Sequence, residues 1–207
     1  RGLMFVLNGD ALRIPLRDEL VHSVVTSPPY WSMRAYEGVT AFPWPVVTYQ
    51  PLTGAPAITI PGCDPACDHV WGAEQTRHLR GKVGDHSTLG KPGPDSNGKG
   101  RVQNVSQGQW CQRCGGWRGE LGLEPTPEMF IGHLVAIFRE VWRVLRPEGT
   151  LWLNLGDGFA GSSGSHAGGS EKQATNTGAV NGKLAHKSGE GLKRKDLVGM
   201  PWRLALA

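Results

Sequence analysis

The alternation of apolar and polar positions predicts a few regular elements separated by long irregular stretches. Residues 3–7 are an apolar run that ends at Asn8-Gly9-Asp10, which predicts a short strand and a turn. Val21–Thr26 is rich in β-branched residues and predicts a second strand. This strand must end before Pro28 and Pro29, because proline has no N–H to donate to a sheet.

Helical periodicity begins after residue 125. Thr126 is an N-cap candidate, and Pro127 and Glu128 follow it in the order typical of a first helical turn. The apolar residues then recur at helical spacing: Phe130, Leu134, Ile137, Phe138, Val141 and Leu145. Residues 146–149, Arg-Pro-Glu-Gly, stop this helix, and residues 150–155 predict a buried strand. A helix, a turn and an apolar strand together indicate a layered α/β fold.

Two stretches interrupt this α/β pattern. Residues 36–119 contain many prolines and glycines and all four cysteines, and we interpret them as an insertion. Residues 156–192 are rich in Gly, Ser, Asn and Lys, which predicts a flexible loop, and residues 195–207 begin another helix. The α/β domain would then consist of residues 1–35 and 120–207.

Composition agrees with a folded domain and excludes several classes of protein. The chain has 207 residues, 39% hydrophobic and 19% charged, enough for one packed domain with an insertion. No apolar run approaches the ~18 residues that cross a bilayer, so we expect no membrane partner. Four cysteines are too few for a secreted disulfide scaffold, and a net charge of +4 permits a nucleic-acid partner. Since the chain begins at Arg1 and ends within a helix-like stretch, we expect a fragment.

The Thr-Ser-Pro-Pro-Tyr-Trp segment, residues 26–31, stands where α/β proteins bind ligands, beyond the carboxyl end of a strand. Two prolines stiffen the backbone, so that Ser27 and Tyr30 are held at a fixed separation. This suits a flipped nucleobase, whose exocyclic amine donates to a polar group and a carbonyl while an aromatic ring stacks on its face. On its own, the Ser-Pro-Pro-Tyr tetrapeptide at residues 27–30 is as consistent with a simple turn that ends a strand as with a base-binding loop.

Ser27-Pro28-Pro29-Tyr30 resembles the catalytic motif of the amino-group DNA methyltransferases, which act on cytosine-N(4) or adenine-N(6). Residues 121–128, 146–157 and 195–203 resemble a phage and bacterial branch of this family. The resemblance covers residues 1–35 and 115–207. It implies a partial Rossmann-like fold with a zinc-ribbon-like insertion, S-adenosylmethionine as cofactor, double-stranded DNA as partner, and the cytoplasm of a bacterium or phage-infected host as location.

The resemblance also implies roles for individual residues. In the family, Ser before Pro-Pro is common in cytosine-N(4) enzymes and Asp in most adenine-N(6) enzymes, so Ser27 favours cytosine. Ser27 and the Pro28 carbonyl would orient the amine, and Tyr30 would stack on the base. The glycine-rich cofactor motif follows the catalytic motif in this branch and is expected beyond residue 207. Asp10 and Asp157 would border the cofactor, although either could simply stabilise a turn.

Residues 156–161 also fit the pattern G-x-G-x-x-G. We reject a dinucleotide site there because no helical pattern follows it.

The cysteines form two pairs at the spacing of zinc ligands, Cys63 with Cys67 and Cys111 with Cys114. The segment Cys67-Asp-His69-Val-Trp resembles the C-x-H-x-W half of small zinc ribbons. We therefore favour Cys67, His69, Cys111 and Cys114 as ligands of a structural zinc ion. A four-cysteine set with Cys63 in place of His69 remains the alternative, as do surface thiols without metal.

A second functional hypothesis belongs to another class. The chain could be a non-catalytic zinc-ribbon DNA-binding protein on a degenerate methyltransferase scaffold. The insertion carries basic residues that would contact phosphates or form a solvated loop: Arg77, Arg80, Lys82, Lys91, Lys99 and Arg101.

Overall fold

The computed structural model describes residues 4–32, 41–80, 102–160, 192–193 and 196–207. Most of the predicted flexible loop therefore lies outside the described residues, as do the side chains of the basic positions between 77 and 101.

The elements in chain order are β1 (Val21–Thr26), β2 (Phe42–Pro43), β3 (Val47–Tyr49), β4 (Ile58–Ile60), β5 (Thr76–Arg80), β6 (Val102–Ser106), β7 (Gln109–Trp110), β8 (Trp117–Gly119), α1 (Pro127–Val144), β9 (Leu145–Leu153) and α2 (Met200–Ala205).

The strands β1 and β9 pair in parallel, with Val24 opposite Leu151 and Thr26 opposite Leu153. The strands β2 to β8 and then α1 lie between them in the chain, so a helix connects back to a parallel strand, and the predicted α/β class is confirmed. The bounds of β1 are those predicted from its β-branched run.

The bounds and the burial of β9 differ from the prediction: the strand ends at Leu153, and Leu151 and Trp152 are exposed. We expected a turn at residues 146–149 and a strand at 150–155, but the strand begins directly after α1. Leu145 pairs with Val21 and Thr150 with Ser23, so residues 146–149 form a bulge inside β9. Pro147 lies in this bulge, outside the residue pairs that the two strands form, which is where a strand tolerates proline.

The helix α1 is capped as predicted and forms the centre of the core. The Thr126 hydroxyl accepts a hydrogen bond from the Met129 amide at 3.2 Å, and a proline occupies the first turn. Phe130 and Leu134, two of the predicted apolar positions, are completely buried. No helix in the described ranges is long and apolar enough to cross a membrane.

Seven short strands, β2 to β8, lie among the described residues of the range 42–119. They form an antiparallel β2-β8-β7 sheet and the pairs β3-β4 and β5-β6. The helix α1 packs on β3 and β4 through Gly132, where an added Cβ would lie 2.6 Å from Cγ1 of Ile60. None of these strands exceeds five residues, which is too short for a clear alternation of apolar and polar positions.

The predicted strand at residues 3–7 is wrong. The described residues 4–10 are exposed and form no regular structure. A strand needs a neighbour for its backbone N–H and C=O groups, and within the described chain this segment pairs with none. Asp10 is consequently placed in an exposed turn rather than at a strand end.

Candidate active site and metal centre

The Ser27–Tyr30 loop leaves the sheet at the edge where β1 and β9 both end. The Asn154 amide donates to the Thr26 carbonyl at 2.9 Å, which extends the parallel pairing to this edge. Ser27 is exposed, whereas Pro28, Pro29 and Tyr30 are partly buried. The serine hydroxyl is therefore open to solvent while the residues after it are packed.

The Tyr30 ring lies directly on the backbone that follows β9. An added Cβ at Gly156 would lie only 2.6 Å from Cδ2 of Tyr30. This close approach explains why glycine is suited to position 156. It also brings together the two segments that the sequence pointed to separately, the Ser-Pro-Pro-Tyr motif and the end of the second parallel strand.

A turn at residues 122–124 contacts the loop on another side. The Ser32 amide donates to the Gly122 carbonyl at 2.6 Å, and Nε1 of Trp31 donates to the Glu124 carbonyl at 3.0 Å. Gly122 has a φ of +94°, and an added Cβ there would lie 3.1 Å from Cβ of Pro29. The loop is therefore held between this turn and the backbone at Gly156.

The side chain of Glu124 is fully buried and stabilises the turn at residues 122–124 by a hydrogen bond to its backbone. Its Oε2 accepts the Gly122 amide at 2.8 Å, and its Oε1 lies 3.0 Å from Nδ1 of His133, which is also fully buried. Sequence reasoning missed both residues. The available signal was a polar residue, His133, between the apolar positions Ile131 and Leu134 of the helix.

The ring of His133 lies between two tryptophans of the predicted insertion. Trp44 stacks on it at 4.1 Å between centroids and 12° between planes, and Trp117 at 5.4 Å and 14°. The tryptophans are fixed in turn, since Nε1 of Trp44 donates to the Gly119 carbonyl and Nε1 of Trp117 to that of Gln107. Nε2 of His133 has no hydrogen-bond partner among the described residues.

Asp157 caps the short helix α2. Its Oδ1 accepts the amides of Gly158, Gly199 and Met200 at 2.8, 3.0 and 3.1 Å. Its Oδ2 accepts the Gly199 amide at 3.0 Å, its one partner among the described residues.

Asp10 accepts the Leu12 amide at 2.9 Å in its exposed turn. A cofactor contact by Asp10 or by Asp157 remains a prediction.

Four potential metal ligands converge in the Cys-containing region: Cys67, His69, Cys111 and Cys114, whose ligand atoms all lie within 4.8 Å of one another. Sγ of Cys67 lies 3.9 Å from Sγ of Cys111, and Sγ of Cys114 lies 3.5 Å from Nδ1 of His69. In a tetrahedral zinc site, ligand atoms at about 2.0–2.3 Å from the ion lie roughly 3.3–3.8 Å apart, close to these two distances. These residues, the set favoured from the sequence, therefore have the chemistry and spacing to hold zinc.

Cys63 does not join this group. Its Sγ donates to the Trp117 carbonyl at 3.4 Å, and burial, followed by the neighbouring thiols of Cys114 and Cys111, raises its pKa to about 11. Its Sγ is thus engaged with a backbone carbonyl and lies outside the group of four converging ligand atoms.

Two cysteines of the cluster itself differ in acidity. Burial, together with hydrogen bonds to Cys114 and Cys111, raises the pKa of Cys67 to about 12. Burial acts in the same direction on Cys111, but hydrogen bonds from the amides of Cys114 and Arg113 and from His69 outweigh it and lower its pKa to about 6.

Comparison with known proteins identifies relatives over about half of the chain. It is 39% identical over 111 residues to the Type II methyltransferase M.Cfr9I of Citrobacter freundii, covering 54% of this chain and 36% of the relative. It is 40% identical over 111 residues to M.XycI of Xanthomonas campestris pv. cyanopsidis, with the same coverage. It is 40% identical over 100 residues to M.SmaI of Serratia marcescens, covering 47% of this chain and 32% of the relative.

The resemblance to site-specific DNA methyltransferases is thereby confirmed. The chain spans about a third of the length of these relatives. No family model matches the chain, and no solved structure matches it.

Proposed function

We propose that this chain carries the catalytic loop of a site-specific DNA methyltransferase that transfers a methyl group from S-adenosylmethionine to the exocyclic amine of a flipped base. One observation carries the proposal: Ser27–Tyr30 lies beyond the parallel β1–β9 edge, with an exposed serine and a tyrosine packed on Gly156. The relatives named Type II methyltransferases support the reaction class. A Rossmann-like sheet is the fold that we propose for the complete domain.

The residues of the loop would act by positioning. The Ser27 hydroxyl is exposed, and the Pro28 carbonyl belongs to a residue without an N–H. Both can accept hydrogen bonds from an exocyclic amine. They would thereby stabilise the positive charge that develops on the amine nitrogen as this nitrogen bonds to the methyl carbon. Tyr30 would stack on the base, and no covalent intermediate with the protein is required. Serine before Pro-Pro leads us to favour cytosine-N(4) over adenine-N(6).

The cofactor would supply an electrophilic methyl group on its sulfonium. Asp157 fits a role beside it, because its carboxylate follows the end of β9 and, among the described residues, its Oδ2 accepts one amide. Asp10 is exposed and also retains acceptor capacity. Carboxylates of this kind can accept hydrogen bonds from hydroxyl or amino groups.

We also propose that Cys67, His69, Cys111 and Cys114 hold a structural zinc ion. Four protein ligands would leave no open position for a substrate, which is typical of structural rather than catalytic zinc. The ion would fix residues 67–71 against 111–114, where hydrogen bonds already join Gln112 to Val70 and Gly72 to Trp110. Residues 36–119 would then form a zinc-stabilised insertion in a catalytic region formed by residues 1–35 and 120–207.

The test is nucleoside mass spectrometry on DNA from a methylation-free host that expresses the complete reading frame. We expect N(4)-methylcytosine, and we expect its loss in the variant Ser27→Ala/Tyr30→Ala. Tyr30→Phe is the matched control, because it retains the stacking ring and should retain most of the product. N(6)-methyladenine would preserve the mechanism and overturn the choice of base.

Absence of both products from folded protein would overturn the proposal. If that protein still bound DNA, the non-catalytic zinc-ribbon hypothesis would take its place.

A further inference from the structure

The buried pair formed by Glu124 and His133 has no place in the proposed chemistry, yet it lies directly behind the catalytic loop. We propose that this pair is a positioning device that sets the place of the Ser27–Tyr30 loop. The inference rests on the proposed function for its catalytic consequence, but its structural part can be measured without methyl transfer.

The first step is the connection from Glu124 to the loop. The Glu124 carbonyl accepts Nε1 of Trp31 at 3.0 Å, and its carboxylate accepts the Gly122 amide at 2.8 Å. The Gly122 carbonyl in turn accepts the Ser32 amide at 2.6 Å. Backbone and side chain of one glutamate thus constrain the two residues that immediately follow Tyr30.

The second step explains why the glutamate needs a histidine. A carboxylate that is completely removed from water requires hydrogen bonds, since burial without them costs several kcal/mol. Nδ1 of His133 provides one at 3.0 Å, and the Gly122 amide provides the other. The carboxylate can therefore be buried only while the turn at residues 122–124 keeps its conformation.

The third step is the placement of His133 itself. Its ring is held between Trp44 and Trp117, so it can move little relative to the predicted insertion. The helix α1 fixes its backbone, because position 133 lies in the buried part of that helix. His133 therefore fixes the orientation of the Glu124 carboxylate, and the carboxylate in turn fixes the turn at residues 122–124.

The last step leads to the aromatic ring of the catalytic motif. Tyr30 lies between the backbone at Gly156 and the turn at Gly122, where an added Cβ would lie 3.1 Å from the Tyr30 carbonyl. A shift of the turn would therefore move the loop that must meet the base. A misplacement of about 1 Å at a reacting centre can cost about 100-fold in rate.

The decisive variant is Glu124→Gln, which preserves the shape of the side chain and one oxygen acceptor but removes the carboxylate. Glu128→Gln is its matched control: Glu128 lies in the first turn of α1, is half-exposed and pairs with Arg203 at 3.0 Å. His133→Phe is a second variant, because it keeps an aromatic ring between the tryptophans and cannot donate to Glu124. It keeps the proposal testable if the first variant folds poorly.

The structural measurement follows the indole N–H of Trp31 by NMR in this chain, with the signal assigned by Trp31→Phe. We expect Glu124→Gln and His133→Phe to shift the signal and to accelerate its exchange with solvent about tenfold, as loss of roughly one hydrogen bond predicts. Glu128→Gln should leave it unchanged. A folded Glu124→Gln protein with an unaltered Trp31 signal would overturn the inference and reduce the pair to core packing.

The functional measurement uses the complete reading frame. We expect kcat to fall about 10- to 100-fold in Glu124→Gln, while KM for S-adenosylmethionine changes less than about twofold. An unchanged kcat would overturn the catalytic part of the inference. If the unaltered protein transfers no methyl group, the proposed function fails, and the Trp31 signal still decides whether the pair positions the loop.

Discussion

Two histidines, His69 in the proposed metal centre and His133 behind the Ser27–Tyr30 loop, have opposite environments. His69 belongs to a partly exposed group of four residues whose ligand atoms converge within 4.8 Å. His133 is completely buried, stacks between two tryptophans and has one hydrogen-bond partner, Glu124, among the described residues. A group that must take up an ion has to be reached from solvent. A group that must fix a backbone turn gains from exclusion of water, because each hydrogen bond is then costly to break.

The largest expected effect tests the exposed member of this comparison. We expect the protein to contain one zinc ion, and Cys111→Ser to lose it, because a serine hydroxyl is a poor substitute for a thiolate. Structural zinc contributes roughly 10–16 kcal/mol in small zinc-binding peptides, so loss of the ion should unfold the paired segments at residues 67–71 and 111–114. Metal analysis and circular dichroism with and without chelator measure both effects.

Cys63→Ser is the matched control for Cys111→Ser. Its thiol donates to the Trp117 carbonyl and lies outside the group of ligands, so the zinc content should remain unchanged. Zinc loss in Cys63→Ser with retention in His69→Ala would favour the four-cysteine alternative. In that case the comparison between the two histidines would no longer hold.

The contrast also shows which sites a sequence reveals. The cysteines and His69 are recognisable because each half of the group is a local turn with ligands two to four positions apart. The Glu124–His133 pair packs against Trp44 and Trp117, which come from distant parts of the chain. No spacing of residues along the sequence predicts such a pair. For the fold, β1 and the start of α1 were predictable from local signals. The strands β2 to β8 were not, since pairing rather than pattern defines them.

The buried member of the comparison is tested by Trp44→Ala. This change removes a ring that is 5% exposed and stacks on His133, and we expect it to lower the free energy of unfolding by about 3–5 kcal/mol. Trp142→Ala is the control, since Trp142 is 81% exposed on the same helix as His133 and should change stability little. Urea denaturation measures both. If both variants lost the same free energy of unfolding, the burial of Trp44 and its stacking on His133 would contribute nothing measurable to stability.

A smaller effect is expected where the catalytic loop meets the end of β9. Gly156→Ala places a Cβ 2.6 Å from the Tyr30 ring, so the ring must shift, and overpacking of this kind costs about 1–3 kcal/mol. Gly158→Ala is the control, because, apart from its chain neighbours, no atom of the described residues lies within 4 Å of its added Cβ. Thermal unfolding of the chain and methyl transfer by the complete reading frame should both be impaired only in Gly156→Ala. Impaired transfer in both variants would mean that the tyrosine contact is not the cause.

The smallest expected effect comes from an acid–base pair that has the same chemistry as Glu124 and His133 without their burial. Glu140 lies 2.9 Å from Arg143, and Arg143 also binds Asp18 and the carbonyls of Ile14 and Leu16. The hydrogen bond from Arg143 holds the pKa of Glu140 below its usual value of 4.5. Because the pKa is lower in the folded than in the unfolded state, the pair stabilises the fold fully above pH 4.5, and this contribution is lost as the pH falls through the lower value.

Glu140→Gln should therefore be less stable than the unaltered chain at neutral pH, with a difference that shrinks as the pH falls below 4.5. The difference should be modest, since partly exposed ion pairs contribute little. Glu148→Gln is the control for loss of one exposed charge, because Glu148 is exposed and lies 3.9 Å from Arg146 of the same strand, β9. Urea titrations across this pH range measure the effect. If Glu140→Gln costs as much as Trp44→Ala, pairing rather than burial dominates, and the distinction drawn between the two histidines loses its physical basis.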